Sequence, residues 1–212
     1  MIPKECKRLA EVDFPIAATN AACYRENNRK TRISSGHISL LHTWWARRPL
    51  ASCRALLLGI LLPDPTDPKC PESFKNVARN LLNQYQNISS TDISLRHALV
   101  SFLSKVADFD EGHMYISTAR ELVEAAHTNV QHVFDPFSGG GSIPLEALRL
   151  GCDATSSELN PVAWLLLKIS LEWSARIMTS SSPHPVMIIA GSEGFLSLSD
   201  CNTSNPSRSG RI

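Results

Sequence analysis

The sequence predicts an α/β chain that is mainly helical over residues 1–128 and then turns into the start of a parallel sheet. Three features carry that expectation. Apolar residues recur at helical spacing through residues 50–61, 72–86 and 92–108. A short apolar run, Val130 to Phe134, then feeds a bend containing Gly139, Gly140 and Gly141. Beyond the bend come a helix-compatible stretch from Pro144 to Leu150, a second apolar segment, and the acidic end Ser157-Glu158. That order, strand–bend–helix–strand, is the unit from which parallel sheets are built.

Taken in chain order, residues 5–30 alternate apolar and charged positions at helical spacing, with Pro15 interrupting. The polar run Arg25 to Lys30 and the Ser34-Ser35-Gly36 cluster predict loops. Pro49 suits the start of a helix whose apolar face is Leu50, Cys53, Leu57, Leu58 and Leu61. Pro63, Pro65, Pro68 and Pro71 should end that helix in a stiff extended segment. Thr91 or Asp92 is a candidate cap for the helix carrying Leu95, Leu99, Phe102 and Val106. Ser117 is a candidate cap for a helix running to His127. The cofactor-binding type of unit is expected over 129–175, with a helix from Pro161 to Trp173. Residues 176–212 form a polar tail expected to be disordered, apart from a short candidate strand at Val186–Ala190.

Charge is nearly balanced overall, but residues 1–54 carry ten Lys/Arg against four Asp/Glu, whereas the remainder carries eleven against sixteen. A basic N-terminal quarter is compatible with phosphate contacts, or simply with a solvated basic surface. The six cysteines include no C-x-x-C pair, so neither a zinc site nor a disulfide framework is signalled. The segment Met1 to Arg8 lacks the apolar run of a secretory signal. The apolar stretch Leu50 to Leu62 contains Arg54 and is too short to span a bilayer. A reduced, cytoplasmic protein without membrane contact is the expectation.

The glycine bend carries the chemistry. Without β-carbons the backbone can reach positive φ and let a ligand approach its amides. The N-terminal end of the next helix favours an anionic group. Glu158, at the end of the second strand, is placed to accept both hydroxyls of a ribose. Together these predict a site for an adenosine-containing cofactor. A dinucleotide fingerprint would need a third glycine where this chain has Pro144. The form Asp135-Pro136-Phe137-Ser138-Gly139-Gly140-Gly141 instead looks like motif I of S-adenosylmethionine (SAM)-dependent methyltransferases. A dinucleotide oxidoreductase, or a glycine-rich turn with no ligand, stands as the alternative.

A second constellation, His42-Thr43-Trp44-Trp45-Ala46-Arg47-Arg48-Pro49, packs two indoles, an imidazole and two guanidiniums into eight residues. Read by itself, it is either a ligand-facing turn or a helix entry with one Trp packed and both arginines solvated. With Arg8–Ile16, Leu41–Ala51, Leu62-Pro63-Asp64-Pro65 and Asp135–Asn160 in matching order, it resembles the N-terminal part of adenine-specific DNA methylases that begin with the domain of unknown function 1156. The resemblance covers residues 5 to about 171. It implies a Rossmann-like SAM-methyltransferase sheet, a motif X-like block at 40–62, and a pocket lined by His42, Trp44, Trp45 and Arg47 beside Asp135, Pro136, Phe137, Gly139, Gly140, Gly141, Glu158 and Asn160. The family pattern usually has Asp where this chain has Glu158.

The resemblance also implies that an adenine amine is methylated with the help of a tetrad of Asp or Asn, two prolines and an aromatic residue. This sequence has no Pro-Pro pair. Asp64-Pro65, Asp135-Pro136 and Asn160-Pro161 each supply half of it. The expectation is therefore a SAM-binding N-terminal portion of a DNA adenine methyltransferase, catalytically incomplete, with DNA and a missing C-terminal half as partners. A non-enzymatic nucleic-acid-binding or regulatory fragment is the competing reading.

Overall fold

A computed structural model describes residues 2–28, 40, 42–108 and 112–173, together with the backbone of 186–190. Its elements are α1 (Leu9–Val12), α2 (Ile16–Glu26), α3 (Leu50–Leu61), α4 (Glu72–Asn83), α5 (Asp92–Ala107), a 3-10 turn (Gly112–Tyr115) and α6 (Ile116–Ala126). There follow β1 (His132–Asp135), α7 (Ser142–Arg149), β2 (Asp153–Glu158), α8 (Pro161–Leu167) running into a π-helical turn (Lys168–Trp173), and β3 (Val186–Ala190). The fold is mixed α/β and mostly helical, with a small parallel sheet ordered β1-β2-β3.

Pro15 separates α1 from α2 because its ring cannot continue a helix. The polar loop expected from Arg25 begins later, since α2 continues to Glu26. Glu26 is buried at 2 % exposure, and its carboxylate accepts the Leu50 and Ala51 amides, each at 2.8 Å. A carboxylate so placed does for α3 what a capping side chain does, satisfying orphan N–H groups at the positive end of the helix. Pro49, at the N-cap, has no side-chain oxygen to offer.

After α3 the proline-rich connection is not extended as expected. It folds into two successive turns, with the Asp67 N–H on the Asp64 carbonyl at 3.1 Å and the Cys70 N–H on the Asp67 carbonyl at 2.9 Å. The Asp64 carboxylate anchors this bend: Arg96 reaches it through Nε and Nη2 at 2.8 Å each, and Thr66 Oγ1 at 2.8 Å. The N-terminal segment is stitched alongside through Leu9 N–H to the Leu62 carbonyl and Asp64 N–H to the Lys7 carbonyl, both 2.9 Å.

Thr91 caps α5, its hydroxyl accepting from the Ser94 amide at 3.3 Å. The α6 start differs from expectation. The helix begins at Ile116 behind Tyr115, because the 3-10 turn at Gly112–Tyr115 already supplies the entry, and Ser117 lies within the first turn. The helix expected from Pro161 to Trp173 likewise changes character at Lys168, where it loosens into the π turn.

One core joins the helices to the sheet. Leu58, Phe74, Leu82, Leu95, Leu99, Phe102 and Leu122, all at 0 or 1 % exposure, belong to the same cluster as Ala147, Leu150, Cys152 and Ala154. Within the polar tail expected after residue 175, Val186–Ala190 forms β3, pairing Ala154↔Val186 through Glu158↔Ala190. The remainder of that tail, and the Ser34-Ser35-Gly36 loop, lie outside the described residues. Among the described residues no helix is long and apolar enough to cross a membrane.

Candidate functional site

The site grows from the tip of β1. Asp135 closes that strand in a buried position, its Oδ1 accepting the Phe137 amide at 3.1 Å. Burial pushes the Asp135 carboxyl above its usual range and the charge of Glu158 adds to this, while hydrogen bonds from Phe137 and Ser138 oppose it. Ser138 ties the bend to both strands: its hydroxyl donates to the Asp135 carbonyl at 2.9 Å and its amide to the Ser157 carbonyl at 3.2 Å. Gly139 and Gly141 then take left-handed φ of 49° and 79°, which L side chains rarely adopt. Gly141 hands the chain to α7.

The glycines also admit close neighbours. A β-carbon on Gly139 would come within 2.8 Å of Trp44 Nε1, one on Gly140 within 3.0 Å of Arg47 Nη2, and one on Gly141 within 2.8 Å of Leu167 Cδ2. The tryptophan–arginine block therefore lies directly against the bend. Arg47 Nη1 donates to the Gly140 carbonyl at 3.2 Å, and the Ser142 hydroxyl donates to the Arg48 carbonyl at 2.7 Å. Burial draws the Arg47 pKa below the ordinary arginine value, with Glu26 acting in the opposite sense, and its buried Nε has no hydrogen-bond partner.

Glu158 is engaged with the backbone. Its Oε2 accepts the Gly139 amide at 2.7 Å, and its Oε1 accepts the Leu159 and Asn160 amides at 2.9 and 3.0 Å. A carboxylate offers about four lone-pair positions, so these three bonds leave roughly one for a hydroxyl. The Gly139 amide, expected to face a ligand, faces Glu158. Asn160 is committed as well: its Oδ1 caps α8 by accepting the Val162 amide at 2.9 Å.

Between block and bend lies a cavity of about 260 Å³. That is just below the roughly 300–1,000 Å³ of small-ligand pockets. Of the residues singled out from the sequence, Trp44, Arg47, Asp135, Phe137, Gly139 and Gly140 line it, joined by Ala46, Arg48, Ser138, Ser142 and Ile143. Gly141, Glu158 and Asn160 stand in the scaffold of the bend, and Pro136 within the bend itself is not among the lining residues. His42 is exposed and away from the lining. Trp45 is 79 % exposed and stacks on Trp44, centroids 4.2 Å apart and planes at 25°, instead of facing the cavity.

The residues that the sequence did not single out are those that fix this arrangement. Arg54, 3 % exposed, donates from Nε and Nη2 to Glu146 at 2.5 and 3.2 Å and from Nη1 to the Val106 carbonyl at 3.0 Å. Arg149 adds a third bond to Glu146 at 2.7 Å. This buried network bolts α3 to α7, so the block preceding α3 and the bend preceding α7 keep a fixed relation. A lone arginine inside the apolar face of residues 50–62 was the available signal, since a buried guanidinium requires a partner. Among the described residues no cluster of His, Cys, Asp and Glu could hold a metal ion.

No curated protein and no solved structure matches the chain. Residues 13–84, which include the tryptophan–arginine block and stop short of the glycine bend, match the family model described as Protein of unknown function (DUF1156).

Proposed function

We propose that the cavity between the tryptophan–arginine block and the glycine bend binds S-adenosylmethionine, and that this chain is the cofactor-binding N-terminal portion of a DNA adenine-specific methyltransferase with a Rossmann-like sheet. One observation carries the reading. Arg47 and Arg48, more than ninety residues from the bend in sequence, are hydrogen-bonded to Gly140 and Ser142, with one cavity between them. The chemistry of the lining suits a zwitterionic nucleoside. Arg47, desolvated and with Nε unsatisfied, suits a carboxylate. Trp44 and Phe137 offer aromatic surface to a sulfonium. Glu158 is not in the lining, but behind the bend its carboxylate retains acceptor capacity for a ribose hydroxyl. Bound there, the cofactor would supply an electrophilic methyl group. These residues orient it and exclude water, and no step of base methylation is assigned to them, because the tetrad is absent from the 212 residues.

Titration calorimetry with S-adenosylhomocysteine tests this directly. Heat is expected with the folded wild-type chain, and Arg47→Met should weaken binding by about tenfold, the worth of one charge-assisted contact. Silence with S-adenosylhomocysteine on folded material overturns the reading, as does equal or stronger heat with NAD. The competing reading, a nucleic-acid-binding module, draws on the excess of basic residues over 1–54. It wins if salt-sensitive DNA affinity survives Glu158→Ala and Gly140→Asp and no cofactor effect is seen.

A further inference from the structure

We infer that Trp45 and Arg48 form a stacking platform for an unpaired base of single-stranded DNA at the rim of the cavity. The indole of Trp45 is 79 % exposed, yet it is not a loose surface side chain. It lies on Trp44 at 4.2 Å between centroids, and Trp44 is itself wedged against the backbone of Gly139. A large aromatic face is thus backed by a second ring and open to solvent, an arrangement that lowers the entropic cost of laying a planar ring upon it. Three residues on, Arg48 is exposed and has no ion pair among the described residues. Its backbone is pinned by the Ser142 hydroxyl on its carbonyl at 2.7 Å. An exposed aromatic face and, three residues on, an exposed cation, in the basic quarter of the chain, supply the combination by which proteins hold single strands: bases stack and phosphates pair. Trp45 does not line the cavity whereas Arg48 does, so the platform adjoins the proposed cofactor site at Arg48 and extends beyond it at Trp45. The choice of DNA over RNA rests on the methyltransferase reading; the stacking itself does not.

The test measures fluorescence anisotropy of labelled single strands of about 12 nucleotides, near the upper part of the usual span per binding site. Three competitors are compared: the same length of abasic strand, the fully paired duplex, and an RNA strand. Trp45→Ala should weaken single-strand DNA binding by roughly tenfold while Trp45→Phe retains most of it, as expected for one stacked base. The abasic strand should bind wild type and Trp45→Ala alike. Arg48→Gln should reduce the slope of log affinity on log salt by about 0.7, one phosphate contact to a single strand. Unchanged affinity in Trp45→Ala, an equal loss on the abasic strand, or preference for the duplex each overturns the platform. Tighter binding of RNA overturns its assignment to DNA. S-adenosylhomocysteine titrations of Trp45→Ala separate the two readings: the cofactor site fails if neither protein binds, and the platform stands or falls on the strands alone.

Discussion

Glu26 sits at the end of α2, yet its carboxylate governs a helix that begins 24 residues later, at Leu50. Two buried charge-assisted bonds to orphan amides make it the start signal of α3, so Glu26→Ala should cost about 1–2 kcal/mol in urea unfolding, the range of a lost cap. A second buried carboxylate, Asp64, responds to acid. Burial alone would raise its pKa, but hydrogen bonds from Arg96 and Thr66 outweigh that and hold it below the ordinary value. A carboxylate with a depressed folded pKa contributes stability that is complete above the unfolded value of about 3.9 and lost as pH falls through the folded one. Asp64→Asn should therefore cost on the order of 2–3 kcal/mol at pH 7, and the gap to wild type should shrink steadily below about pH 4. A gap that persists undiminished near pH 2 would refute the assignment. At Gly141 the argument is steric. With φ at 79° and a new methyl 2.8 Å from Leu167 Cδ2, Gly141→Ala should lose at least about 1–2 kcal/mol, read as a lower urea midpoint with unchanged slope.

Between elements, the Arg54–Glu146 network is the joint that holds the site in register. Glu146 is wholly buried, so removing its main partner strands a charge in the core. Arg54→Met should destabilise by about 3 kcal/mol, toward the lower end for broken buried pairs because Arg149 still reaches Glu146. The double change Arg54→Met with Glu146→Leu should recover most of that loss, since a packed apolar pair removes both desolvation costs. A double variant as unstable as the single would show that packing, not charge, carries the joint. This joint also marks how far the sequence could be read. The helices at 50–61 and 92–107, the strand ending at Glu158 and the one at Val186–Ala190 were legible, because periodicity, caps and glycine bends are local. The Leu50 amide on Glu26, Arg96 on Asp64 and Glu146 on Arg54 lie 24, 32 and 92 residues away in sequence, and nothing local names them. The bend itself was legible as a glycine turn between a strand and a helix, and as a candidate site. That Glu158 would bind the Gly139 amide, and that Trp45 would turn from the cavity to stack on Trp44, depends on tertiary contacts that composition does not encode.

Across the whole molecule, stability is unevenly placed. The helical layer buries Leu58, Leu95, Leu99, Phe102, Leu103 and Leu122 at 0 or 1 % exposure. Among the described residues the sheet has three strands, and β1 leaves His132 and Phe134 exposed, with Phe134 at 57 %. Parallel sheets gain stability from cover on both faces and from paired neighbours, and a short edge strand with exposed side chains has neither in full. Amide exchange should reflect this. The amides of α5 from Leu99 to Leu103 should exchange only through global unfolding, whereas those of β1 should open locally, about 10–100-fold faster. The bend sits on the less stable side of this divide, at the C-terminal tip of β1, while the block that faces it is bolted through α3 to the stable helices. A ligand bridging the two would couple the weak half to the strong one, so saturating S-adenosylhomocysteine should slow exchange at Val133–Asp135 while leaving α5 ahead. If β1 already exchanges as slowly as α5 without ligand, the sheet is no weak half, and the site is rigid on both walls before anything binds.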